Sequence, residues 1–80
     1  MTDVERTVFE ILRNTSQQPD LNITRSTKIE SLQLDSVDNL EVIMKLEEFF
    51  GIDFDTAKIT RLVSVGDLIN LVDETQSETK

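Results

Sequence analysis

One segment constrains the fold more than any other. Residues 36–50 place apolar side chains at helical spacing, follow Asp35, which suits an N-cap, and stop at Gly51, which suits a helix C-terminus. Asp38 and Glu41 put negative charge in the early turns, where the helix dipole favours it. The pattern predicts a helix from Ser36 to Phe50. With Val37 as origin and about 100° per residue, Val42, Ile43, Leu46, Phe49 and Phe50 fall between about 120° and 240° and are expected to face a core. Val37, Leu40 and Met44 lie within about 60° of the opposite pole, flanked by Glu41, Glu47 and Glu48. A helix in a small bundle needs only one buried face. The second strip reads either as a docking surface for proteins, with Met44 as an adaptable contact and the acids as guides, or as a strip covered by the preceding loop.

The rest of the chain supports a helical fold. Val4, Val8, Ile11 and Leu12 predict a first helix over Asp3–Asn14, ended by Asn14, Thr15, Ser16 and Pro19. Thr15 to Leu34 reads as a long ordered loop, pinned by Ile23, Ile29, Leu32 and Leu34, with a helical turn expected near Ser26–Glu30. After an extended connection through Ile52 and Phe54, Asp55 caps a short helix over Thr56–Leu62. Ser64 starts the last helix, with Asp67 at capping-box spacing and an apolar stripe of Val65, Leu68, Ile69 and Val72. No segment alternates like a strand. The expected fold is all-α, a small four-helix bundle of three main helices and one short one. Residues 1–74 are expected to form the domain and 75–80 a flexible tail.

Composition narrows the chemistry. The 80 residues suffice for one domain, and there is no cysteine or histidine. Disulfides, the usual zinc sites and His or Cys catalysis are therefore excluded, and an enzyme is not expected. Sixteen acidic residues against eight basic ones give a net charge of −8, which disfavours nucleic acid and anionic membranes and suits proteins with basic patches. The acidic runs Asp35–Glu41 and Asp53–Lys58 lack the mid-loop glycine and closing glutamate of a calcium loop, so no metal site is expected. Neither a signal peptide nor a membrane span is visible; a free-standing cytoplasmic monomer starting at Met1 is expected.

Ser36 stands where the long loop meets the central helix. It is either an ordinary helix-start residue or the anchor of a phosphate-bearing group. A helix N-terminus stabilises phosphate through its free N–H groups and dipole, whereas Asp35 and Asp38 repel it. With no histidine to activate it, Ser36 would depend on another enzyme.

The run Asp35-Ser36-Val37-Asp38-Asn39-Leu40-Glu41, continuing to Glu47-Glu48-Phe49-Phe50-Gly51-Ile52, resembles the acyl carrier protein family. That family has an Asp-Ser-Leu motif at the start of an acidic second helix. The similarity spans the chain and is strongest over about Leu32 to Phe54; Ser64-Val65-Gly66-Asp67-Leu68 also looks like the start of the family's last helix. The resemblance implies that a magnesium-dependent phosphopantetheinyl transferase attaches 4′-phosphopantetheine from coenzyme A to Ser36. It implies that acyl groups are carried as thioesters to acyl-transferring and acyl-modifying enzymes with basic docking patches, and that acyl chains insert between the helices. It implies a recognition face of Asp35, Val37, Asp38, Leu40, Glu41, Met44, Glu47 and Glu48. The sequence departs from the pattern at Val37 for leucine, at Ser31-Leu32-Gln33-Leu34 where many members have Asp-Leu-Gly, and in a longer Thr60–Val63 segment. These departures point to a specialised carrier. An aminoacyl, peptidyl or D-alanyl carrier, and an unmodified acidic helical interaction module, remain alternatives.

Overall fold

A computed structural model describes residues 3–16 and 22–79, the side chains of 78 and 79 excepted. Four helices, α1 (Asp3–Ser16), α2 (Ser36–Phe50), α3 (Thr56–Ile59) and α4 (Val65–Thr79), are joined by loops, and a single 3-10 turn (Ile29–Leu32) lies in the first loop. The all-α reading holds. Among the described residues the only β-type pairing is one isolated bridge between Lys28 and Ser64. No helix there is long and apolar enough to cross a membrane.

The helices form where sequence and capping agree. In α2, Asp35 accepts the Asp38 N–H at 2.8 Å, and Gly51 closes the helix at φ 65°, the left-handed region that glycine enters without a Cβ clash. At α4 the capping box is complete. Ser64 Oγ accepts the Asp67 N–H at 3.2 Å, and Asp67 Oδ2 accepts the Ser64 and Val63 N–H groups at 3.1 and 3.2 Å. These bonds, those from the Ser64 and Val63 backbone foremost, hold the Asp67 carboxyl below its ordinary pKa.

Helix α1 packs on both α2 and α4. Val8, Phe9 and Leu12 meet Val42, Leu46, Val65, Ile69 and Val72 in one core, with Ile23, Leu32, Ile52 and Phe54 contributed by the connections. Burying a side chain such as Leu46 or Ile69 contributes about 1.5–3 kcal/mol. The first loop is tied down as its four apolar residues suggest. Ile23 and Leu32 are buried, and Ile29 and Leu34 pack against the core. The Thr27 carbonyl accepts from the Val65 N–H at 2.8 Å, and the Val63 carbonyl from the Ile29 N–H at 2.9 Å. Gly66 lets the two segments approach, since a Cβ there would lie 3.0 Å from the Arg25 carbonyl oxygen. Arg25 reaches Glu5 at 2.6 Å and Asn70 at 3.1 Å, joining the loop to α1 and α4.

Five sequence expectations are corrected. Helix α1 runs on to Ser16, whose hydroxyl bonds the Arg13 carbonyl at 3.3 Å; Pro19 lies outside the described residues. The helical turn in the loop is Ile29–Leu32, not Ser26–Glu30, because residues 27–29 are committed to backbone bonds with 63–65. Helix α3 stops at Ile59 rather than Leu62, where i→i+3 bonds from the Arg61 and Leu62 N–H groups tighten the chain toward that same pairing. The polar run from Thr75 continues as helix to Thr79, and Thr75 is itself buried. Phe49 does not enter the core. It sits at the edge of the predicted apolar arc and is 67% exposed.

Candidate functional site

Ser36 is the first residue of α2 and is exposed. The Asp35 side chain takes the Asp38 N–H, and the Asp35 carbonyl takes the Asn39 N–H at 2.9 Å. Among the described residues no acceptor meets the N–H groups of Ser36 and Val37, two exposed residues in the helix's first turn. The local dipole and these two donors favour a phosphodiester on Ser36 Oγ. Asp35 is exposed and Asp38 half-buried beside it, so their repulsion of a phosphate is weakened by water.

Before the serine, Gln33 adopts φ 54° and ψ 38°. The backbone here takes the conformation that glycine accepts freely, although the residue is glutamine. This turn delivers Leu34 to a cavity of about 260 Å³ between the helices. Leu12 of α1, Val42 and Ile43 of α2, Leu68 of α4 and Ile29, Ile59 and Leu62 of the connections line the cavity with Leu34 and Asn39. Asn39 is its exposed polar member, and its amide donates to the Leu34 carbonyl at 3.4 Å. The two residues that bracket Ser36 therefore also bound an apolar space suited to a hydrocarbon chain.

Behind the core face of α2, Val37, Leu40 and Met44 are 72%, 59% and 57% exposed. The described part of the first loop, residues 22–35, leaves them exposed, which removes its cover as an explanation of the strip. Glu41 and Glu48 are exposed at its flanks. Glu47 is half-buried, and its carboxylate accepts the Phe54 N–H at 3.0 Å, fastening the α2–α3 connection while still lining an open groove with Met44 and Glu48. Asp53 joins that groove from the connection. Periodicity within α2 could not have placed Asp53 there, nor Leu34 and Asn39 at one cavity.

Comparison with known proteins decides the family. The family defined by a phosphopantetheine attachment site matches residues 6–72. The chain belongs to the acyl carrier proteins. It is 33% identical to the acyl carrier protein of Campylobacter fetus subsp. fetus over 63 residues, 79% of this chain and 82% of that one. It is 32% identical to the chloroplastic acyl carrier protein of Brassica napus over 71 residues, 89% of this chain but 53% of the relative, so the chain spans about half of that protein. The solution structure of holo acyl carrier protein from Geobacter metallireducens superimposes with a TM-score of 0.82 at 25% identity, covering 98% of this chain and 91% of that one. The acetyl actinorhodin acyl carrier protein of Streptomyces coelicolor shares the fold, with a TM-score of 0.75 at 17% identity over 100% of this chain and 95% of that one. An acyl carrier protein holds a covalent 4′-phosphopantetheine, and the exposed serine and free N–H groups at the head of α2 fit that group.

Proposed function

We propose that Ser36 is the attachment residue and that the protein carries acyl intermediates as thioesters between enzymes rather than catalysing a reaction. The observation that carries this reading is the placement of an exposed serine at the N-terminus of α2, bracketed by Leu34 and Asn39 of the apolar cavity. The arm, when bound, supplies the thiol that forms the thioester. Ser36 Oγ forms its phosphodiester as the pyrophosphate bond of coenzyme A breaks and adenosine 3′,5′-bisphosphate leaves. The transferase takes the proton, since the chain has no histidine to accept it.

The exposed Val37, Leu40 and Met44, with Asp35, Asp38, Glu41, Glu47 and Glu48 around them, form the face read by the transferase and by acyl-transferring and acyl-modifying enzymes with basic patches. Exposure of the apolar strip and the net charge of −8 support that assignment. The pathway is fatty acid, polyketide or specialised lipid synthesis, in the cytoplasm, with the carrier as a monomer. Intact-protein mass after incubation with coenzyme A, magnesium and a broad-specificity phosphopantetheinyl transferase tests the core of this reading. A gain of one phosphopantetheine in the parent and none in folded Ser36→Ala is expected; no gain in the parent, or an equal gain in both, overturns it.

A further inference from the structure

Asn39 breaks the pattern of its own helix. On the wheel that turns Val42, Ile43, Leu46 and Phe50 toward the core, Asn39 falls at about 200°, inside the same arc. An apolar residue is expected there, and the sequence has a primary amide. Asn39 lines the cavity between the helices, where the other eight lining residues are all leucine, isoleucine or valine. Its amide nitrogen donates to the carbonyl of Leu34, itself a lining residue, at 3.4 Å. That bond sets which way the amide faces, with the nitrogen toward Leu34 and Oδ1 turned from it. Oδ1 has no hydrogen-bond partner among the described residues. Asn39 is exposed, so in the unloaded protein this oxygen is open to solvent. A chain that enters beside it displaces that solvent.

The chemistry of a matching cargo follows from the unpaired atom. Oδ1 accepts and does not donate, so a hydroxyl pairs with it and a ketone or methylene does not. Position matters as well. Of the lining residues, Leu34 and Asn39 stand nearest to Ser36 in the chain, so a cargo tethered there brings its thioester end to them first. Further in, the lining side chains are hydrocarbon, and a hydroxyl placed against them loses its bonds to water without replacement.

We propose that Asn39 is a specificity-determining residue that pairs with a hydroxyl on the first carbons of the cargo, so that the cavity accepts 3-hydroxyacyl chains and turns away chains hydroxylated further along. This rests on the carrier reading and narrows its cargo.

The test loads the full chain with octanoyl, 3-hydroxyoctanoyl or 8-hydroxyoctanoyl phosphopantetheine from the matching coenzyme A thioester, each form confirmed by mass. Sequestration is read as the slowing of thioester cleavage by hydroxylamine, relative to the same acyl pantetheine free in solution. In the parent, the 3-hydroxyoctanoyl form should be protected as well as the octanoyl form, and the 8-hydroxyoctanoyl form about tenfold less. Asn39→Leu should lower protection of the 3-hydroxyoctanoyl form about three- to tenfold and leave the octanoyl form at least as well protected. The position is exposed, so the variant should fold, which far-UV circular dichroism checks. A second readout needs only the parent: the Asn39 side-chain amide signals should differ by NMR between the 3-hydroxyoctanoyl and octanoyl forms. Equal protection of the 3-hydroxyoctanoyl form in parent and variant, an equal loss for both cargoes in the variant, equal protection of the two hydroxylated forms in the parent, or unmoved amide signals would each overturn the assignment. A parent that takes up no acyl phosphopantetheine removes the carrier reading and this inference with it. A loaded parent that gives any of the overturning results removes the inference alone.

Discussion

At Gln33 the chain turns through the left-handed region, which costs an L-residue about 1–2 kcal/mol and glycine almost nothing. Replacing it by glycine relieves that strain and adds about 0.5–1 kcal/mol of backbone entropy to the unfolded chain. Gln33→Gly is therefore expected to stabilise the protein by about 0.5–1 kcal/mol, read as a higher urea midpoint at unchanged slope. A lower midpoint would mean that contacts of the glutamine side chain outweigh the strain. The sequence shows only that a glycine-type position holds glutamine; the dihedral angles needed coordinates. Phe49 marks the same limit from the other side. Its angle on the helical wheel lies at the end of the apolar arc, and periodicity alone does not say how far the α1–α2 interface reaches around α2. Leu46, at the centre of the arc, was unambiguous and is fully buried.

Among the elements, α4 depends most visibly on its first turn. Removing the Ser64 hydroxyl leaves the Asp67 N–H without its cap, so Ser64→Ala should cost about 1 kcal/mol in the same urea assay. Asp67 responds to pH. Its folded pKa lies below the ordinary 3.8, so the stabilisation of its ionised form is complete above that value and is lost as pH falls through the folded pKa. An unfolding series from pH 6 to pH 2 should show the parent and Asp67→Asn converging at the acid end, with the parent more stable above about pH 4. A constant gap across the series would sink the assignment. Both residues of this cap were legible, because a capping box is local. Helix α3 was read three residues too long for the opposite reason. Its end is decided by pairing of 63–66 with 25–29, between segments far apart in sequence, and the Arg25 links to Glu5 and Asn70 span 20 and 45 positions.

For the whole molecule, the balance between core and cargo matters most. A chain of 80 residues has little apolar surface to bury, yet it leaves a cavity of about 260 Å³ beside its core. Well-packed interiors hold few such spaces, so the unloaded protein forgoes contacts that a hydrocarbon chain can supply. A methylene needs about as much room as a water molecule, roughly 30 Å³, which sets the capacity near eight carbons. Each methylene moved from water into the cavity contributes about 0.8 kcal/mol until the space is full. Scanning calorimetry on butanoyl, hexanoyl, octanoyl and dodecanoyl forms loaded at Ser36 should show Tm rising with chain length and levelling off near octanoyl. A Tm independent of chain length would place the cargo outside the bundle. A rise continuing undiminished to dodecanoyl would mean that the helices part to admit longer chains, and the volume bounded by Leu34 and Asn39 would not be what selects the cargo.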